Sequence, residues 1–476
     1  MPKTNLVYNV EDKPSWGKTI IFAFQQLLAI LAATIAVPAI INNGVGTNMS
    51  ASAALFGAGA GTLVYLLFTK FKSPVFLGSS FAFIGSMLAA FAGAASMSLG
   101  YLGLVIGAIF AGLVYVVLSF IVRFVGTGWI TRFMPAVVIG PTVAIIGLSL
   151  AANAIGDLTT GPKYEVLVDG VPVIENNLWL GLLCGLVTLF TTICVSIYGG
   201  KRLKMIPFIF GILAGYITAA IFTGIGYAAG NDALKVIDFT KFQNIEWLPR
   251  FTFIEAFTSF KDITDAGTFF GYVGSIAVAY VPVAFVVFAE HIADHKNLSS
   301  VIGHDLLTDP GLHRTLLGDG VGSMAGAFFG GCPNTTYGES VGTVAISGNA
   351  SIRTILVTAI MAMVLSFIGP FSTFLATIPA CVMGGVCIAL YGFIAVSGLK
   401  MIQSTDLGDN RNLFVVSVIL IAGIGGLQLT IRKVTLTSVA CALILGILVN
   451  IVVNIGNKKK ADSLNAPVEE TPADKE

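Results

Sequence analysis

The chain has 476 residues, of which 55% are hydrophobic and only 11% charged, with a formal net charge of +1. An average soluble domain carries roughly 25% charged residues, so the composition excludes a soluble globular fold and a disordered chain, and the charge balance excludes a nucleic-acid binder working through a basic surface. Glycine reaches 54 without a collagen-like period, a level that close-packed membrane helices tolerate.

Residues 1–18 read as a cytoplasmic N-terminal segment with no cleavable signal, because the first apolar run is far longer than a signal core. No Asp, Glu, Lys or Arg stands between Lys18 and Lys70, between Lys72 and Arg123, or between Arg353 and Lys400. A spanning helix takes about 20 residues, so each stretch predicts two spans. Single spans are expected at 133–156, 176–200, 205–231, 266–289, 412–431 and 434–457, and the Gly-, Ser- and Thr-rich region 312–352 adds two. The expectation is an all-α polytopic membrane protein with fourteen spans. Outside them, 157–176 predicts a hairpin on the Asp169-Gly170 turn, 230–265 is a mixed aromatic loop, and 457–476 reads as a disordered cytoplasmic tail. The six cysteines lie in or beside apolar runs with no CxxC and read as small buried hydrophobes.

With the N-terminus inside, nineteen Lys and Arg fall on the cytoplasmic side and seven outside, as the positive-inside rule requires, although Arg432 and Lys433 run against it. Fourteen spans divide into two halves of seven, and an odd number per repeat inverts the second half. The third span, Pro74-Val-Phe-Leu-Gly78-Ser79-Ser80-Phe81, and the tenth, Cys332-Pro333-Asn334-Thr335-Thr336-Tyr337-Gly338-Glu339-Ser340, both break an apolar context with Pro, hydroxyls and an aromatic. Discontinuous helices at matching positions point to a binding site at the midplane, the alternative being ordinary loops between helices.

Acids at membrane depth are costly and usually functional. Glu290 ends an apolar run and reads as a site acid or an interfacial helix end; Glu339 reads as a site acid or a loop acid. Asp294 lies one turn after Glu290 and shares its face. The four histidines fall between 291 and 313, mostly in an expected cytoplasmic loop. His304 and His313 read as solvated, and His291 or His295 as tuning a neighbouring carboxylate. No metal site is expected. Gln25 and Gln26 read as helix–helix glue or as site lining. Two carboxylates, helix-end N–H groups and the flat faces of Phe81 and Tyr337 suit a small planar molecule with alternating N–H and C=O groups, a pyrimidine or oxopurine base.

The strings Leu77-Gly-Ser-Ser-Phe-Ala-Phe83, Ala289-Glu290-His291, Asp309-Pro-Gly-Leu-His-Arg314 and Pro333-Asn-Thr-Thr-Tyr-Gly-Glu339 give the chain its resemblance, over nearly its whole length, to the nucleobase–ascorbate transporter family, and within it to bacterial uracil permeases. The resemblance implies two inverted seven-helix repeats with short strands in spans three and ten. It implies a core domain over 19–123 (spans 1–4) and 266–370 (spans 8–11), and a gate domain over 124–265 (spans 5–7) and 371–456 (spans 12–14). It places Glu290 and Glu339 on the base, Phe81 and Gly338 as backbone N–H donors, and Tyr337 as pocket lining. Gln25, Gln26, Ser80 and Ser340 are expected behind these contacts. Ser340 replaces the family's usual Asn and Ser347 its usual Thr. Asp294 and Gln26 stand where some uracil permeases carry His. The implied activity is proton-coupled uracil import, with Glu290 coupling the proton and Asp294 or His295 assisting. Sodium coupling, a xanthine or other oxopurine symporter and a coupling-independent nucleobase channel are the alternatives. No cofactor, no nucleic-acid partner and no enzymatic activity are expected. The implied setting is the bacterial inner membrane, with cytoplasmic termini and a homodimer joined through the gate. Sulfate-type anion carriers are expected to share the architecture.

Overall fold

The computed structural model describes residues 6–168, 171–200, 203–243, 245–263, 265–403, 405–431 and 434–455. The expected tail, Asp169, Gly170, Arg432 and Lys433 lie outside the described residues. The chain runs α1 (Trp16–Val45), α2 (Ala51–Phe68), β1 (Leu77–Ser79), α3 (Ile84–Ala92), α4 (Met97–Val125), α5 (Gly128–Phe133), α6 (Ala136–Ser149) and α7 (Ala151–Leu158). The hairpin β2 (Lys163–Val168) and β3 (Val171–Asn176) precedes α8 (Leu178–Tyr198), α9 (Pro207–Ala229), α10 (Thr252–Thr258) and α11 (Ala266–Ile302). Then come α12 (Leu312–Gly330), β4 (Asn334–Thr336), α13 (Gly338–Ser347), α14 (Ile352–Leu365), α15 (Gly369–Thr377), α16 (Ala380–Gln403), α17 (Asn410–Ile424), β5 (Leu429–Ile431), β6 (Val434–Leu436) and α18 (Ser438–Val453).

Among the described residues, 8 helices are long and apolar enough to cross a membrane, α6 and α7 counting as one, and up to 9 if α14 and α15, bent by 85°, form one span. Shorter apolar helices cover Phe81–Ala92, Asn410–Ile424 and Ser438–Val453. Three expected boundaries are corrected. The span at 266–289 continues to Ile302, so His291 and His295 sit inside α11, not in a loop, and both are buried. The span at 412–431 stops at Ile424, and the one at 434–457 starts at Ser438, because the antiparallel pair β5–β6 takes the chain between them. The hairpin at 163–176 pairs as expected, Val168 opposite Val171.

Two helix groups pack mainly among themselves. In one, α12 lies along α2 and α4, with α1, α11 and α14 around them; in the other, α16 lies against α6, α7 and α8, with α9, α17 and α18 alongside. Glycines at a spacing of four set the α2–α12 crossing. A Cβ on Gly57 would meet the Gly326 carbonyl oxygen at 2.4 Å, and one on Gly61 would meet that of Gly322 at 2.6 Å. Close backbone approach by small residues replaces the hydrophobic drive that lipid cannot supply between helices.

Candidate functional site

Pro74 and Pro333 each lack a backbone N–H, and each lies just before a short extended piece rather than a helix. Those pieces satisfy one another. β1 and β4 pair antiparallel, with Leu77 opposite Thr336, Gly78 opposite Thr335 and Ser79 opposite Asn334. The Ser80 N–H donates to the Pro333 carbonyl at 2.9 Å and the Tyr337 N–H to that of Phe76 at 3.3 Å, extending the ladder at both ends. Thr62 of α2 accepts the Leu77 N–H at 2.9 Å, and the Asn334 amide donates to the Gly57 carbonyl at 3.1 Å. The irregular backbone thereby finds partners in its own ladder and in α2, which is what irregular backbone inside a bilayer would require.

From this small sheet the chain leaves in two helices. β1 leads through a 3-10 turn at Phe81–Phe83 into α3, and β4 leads through Tyr337 into α13. No side chain caps α13, so the first-turn N–H groups, those of Gly338 and Glu339 among them, have no partner within the helix. Tyr337 is buried, and its hydroxyl donates to the Ser79 carbonyl at 2.9 Å. The Phe81 ring meets Tyr391 of α16 edge-on at 5.6 Å, a contact between the two helix groups. Gly338 is exposed and Glu339 partly buried.

Glu290 stands within α11, well before its end at Ile302, which corrects the helix-end alternative. Glu290 and Asp294 share α11, which packs against α12 and α13, the helices that carry Asp319 and Glu339. Asp294 accepts the Thr336 hydroxyl at 2.7 Å, tying α11 to β4. Gln26 donates to Ser340 Oγ at 2.6 Å, and its neighbour Gln25 keeps a buried Oε1 that accepts no hydrogen bond. The Ser80 hydroxyl is likewise buried without a hydrogen-bond partner.

His295 is placed differently from the expectation of a partner to Glu290. Its Nε2 pairs with the Tyr65 hydroxyl at 2.7 Å, joining α11 to α2, and its Nδ1 with the His291 carbonyl of the preceding turn at 2.8 Å, so both ring nitrogens are engaged. His291 does meet a carboxylate, but one the sequence reading passed over: its Nδ1 lies 2.7 Å from Asp319 Oδ2 and its Nε2 3.0 Å from the Thr315 hydroxyl. A lone acid in the Gly-rich run 318–330 was the available signal for Asp319. Away from the site, a cavity of about 730 Å³ opens at the C-terminal end of α1, lined in part by Ile35, Asn43, Lys241, Arg250 and Met383; none of the expected site residues lines it.

The family model described as the Permease family matches residues 17–431. The chain is 36% identical to the uracil permease of Bacillus caldolyticus, over 96% of this chain and 97% of the relative. It is 35% identical to the uracil permease of Bacillus subtilis (strain 168), over 97% and 99%. Two solved structures share the fold at low identity. They are the transmembrane domain of the cyanobacterial bicarbonate transporter BicA (TM-score 0.55, 14% identity, 92% of this chain and 98% of that one) and the murine anion transporter Slc26a9 (TM-score 0.61, 13% identity, 94% and 69%). The chain is therefore a transporter rather than an enzyme, and it belongs to the Permease family alongside the bacterial uracil permeases.

Proposed function

We propose that the protein imports uracil by proton symport, binding the base between Glu290, Glu339 and the backbone N–H groups of Phe81 and Gly338. One juxtaposition carries the reading: the β1–β4 sheet starts α3 at one end and α13 at the other, and α11, which bears Glu290, packs against α13, which bears Glu339 in its first turn. Carboxylates accept from the ring N–H groups of a uracil, and helix-end amides donate to its carbonyls. Relatives named uracil permeases support the substrate. Xanthine or another oxopurine is the second reading, since the same donors and acceptors serve a larger base.

The fourteen-span topology is part of this proposal. It counts β1 with α3, β4 with α13, and α12 as spans, beside the long helices, α14, α17 and α18. The α2–α12 and α6–α16 groups correspond to a core, which carries the site, and a gate that moves against it. Glu290 carries the coupled proton, with Asp294, held by Thr336, assisting. The inner membrane, cytoplasmic termini and a gate-to-gate homodimer complete the proposal.

Uptake of labelled uracil and xanthine in cells lacking their own base permeases, with and without a protonophore, tests it. Protonophore-sensitive uracil uptake that excess xanthine leaves intact is expected. Xanthine uptake moves the substrate to the oxopurines, and uphill accumulation by Glu290→Gln removes Glu290 from coupling.

A further inference from the structure

We infer that the N-terminal segment 6–15 is a strap that positions α13, and with it Glu339, making Arg353 and the strap backbone positioning elements for substrate binding. The inference rests on the reading of Glu339 as a base-binding acid. α13 has only ten residues, and helices that short are marginal without tertiary support. Its N-terminal end is held by β4 and by the bonds to Ser340. Its C-terminal end stops at Gly348, in the left-handed conformation, and there the strap takes over.

The N–H groups of Val7 and Tyr8 both donate to the Gly348 carbonyl, at 2.7 and 3.1 Å. The Ala350 N–H returns to the Tyr8 carbonyl at 2.9 Å and that of Ile352 to Val10 at 3.1 Å, forming a short parallel ladder about the Tyr8–Asn349 bridge. Further along, Ser351 Oγ donates to the Asp12 carbonyl at 2.6 Å. Arg353 closes the strap. Its Nη1 donates to the Pro14 carbonyl at 3.1 Å, and its guanidinium lies over the Trp16 ring at 3.8 Å. Leu6 and Val10 pack against the cluster that contains Val341 and Val344 of α13. A polar N-terminal segment that only trailed into the cytoplasm would need neither this ladder nor an apolar seat on the helix carrying Glu339.

The test combines two readouts on the full-length protein, using Val7→Pro/Tyr8→Pro, which removes both donors to Gly348, and Arg353→Ala, with Arg353→Lys as the conservative control. The first readout is hydrogen exchange across 338–348, which needs no substrate. The second is the KM and maximal rate of labelled uracil uptake per surface-expressed protein. The expected result is faster exchange in α13 together with a rise in KM of roughly five- to tenfold at a nearly unchanged maximal rate, with Arg353→Lys close to wild type. Unchanged α13 exchange in either variant overturns the strap, as does faster exchange with an unchanged KM. Faster exchange in a protein whose wild type takes up no uracil leaves the strap standing and removes the substrate reading instead.

Discussion

Gln26 of α1 and Ser340 of α13 meet through one oxygen: Gln26 Nε2 donates to Ser340 Oγ at 2.6 Å, and the Phe76 N–H donates to the same oxygen at 2.9 Å. All three residues are buried. A hydroxyl has two lone pairs, so a single small side chain joins α1, the lead-in to β1 and the helix that bears Glu339.

Ser340→Ala removes both bonds at once and leaves the Phe76 N–H without its partner. The expected cost is about 1–3 kcal/mol of stability, read as a lower melting temperature in detergent, with weaker uracil binding. Ser340→Asn retains an acceptor and is expected to keep measurable uptake. A Ser340→Ala protein that melts and binds like wild type would remove the junction from the account of the site.

Gly78 tests the sheet itself. A Cβ there would sit 2.2 Å from Tyr337 Cε2 and 2.3 Å from Cζ, so Gly78→Ala must displace the ring whose hydroxyl holds the Ser79 carbonyl. The expectation is uracil affinity lowered by about tenfold or more, measured by equilibrium binding to purified protein. Gly85, where a Cβ would come no nearer than 3.5 Å to a neighbour, is the matched control. Equal affinities for Gly78→Ala and Gly85→Ala would show that Tyr337 has no part in the pocket.

Just beyond α2, Lys72 Nζ lies 2.7 and 2.8 Å from the two carboxylate oxygens of Asp309, in the link between α11 and α12. The hydrogen bond and charge of Lys72, with His304 nearby, hold the Asp309 carboxyl below its ordinary value. A depressed folded pKa contributes stability that is present above the unfolded value, about 4, and lost as the pH falls through the folded one. Both side chains are nearly half exposed, so the contribution is small and salt-sensitive. The melting difference between wild type and Lys72→Ala should therefore be constant above about pH 5 and disappear in stronger acid. A difference that grows on acidification contradicts this sign.

Much of the fold was legible because hydrophobic length is a local property. The charge-free stretch between Lys18 and Lys70 resolves into α1 and α2, and the broken strings at Pro74 and Pro333 mark the paired strands. What was not legible depends on packing. Asp294, His295 and Lys296 follow Glu290 so closely that the segment reads as a helix end, yet α2 and β4 supply Tyr65 and Thr336 to receive His295 and Asp294. Asp319 carries no local mark beyond its charge, and its pairing with His291 exists only because α12 lies beside α11. The strap was invisible for the same reason, its partners standing over three hundred positions away in the chain.

Asn43 and Asp157 carry the last prediction. Asn43 Nδ2 donates to Asp157 Oδ1 at 3.0 Å, linking α1 of one helix group to α7 of the other beside the cavity that Asn43 lines. Ile35 and Met383 line the same cavity deeper along α1 and α16. Gln26 lies nine residues before Ile35, about 14 Å at 1.5 Å per residue, so the cavity and the candidate site occupy different depths along α1. If core and gate separate on this side to admit substrate, the Asn43–Asp157 bond must break in each cycle. Asn43→Ala removes that restraint and should favour the state open on this side. An Ile35→Cys reporter labelled by an impermeant thiol reagent from outside intact cells reads the effect. Labelling is expected to be about two- to fivefold faster in the Asn43→Ala background, the equivalent of one modest hydrogen bond. Addition of uracil should change the labelling rate in both backgrounds, since the substrate shifts the same equilibrium. Equal labelling with and without Asn43 would mean that the two groups do not part at this contact.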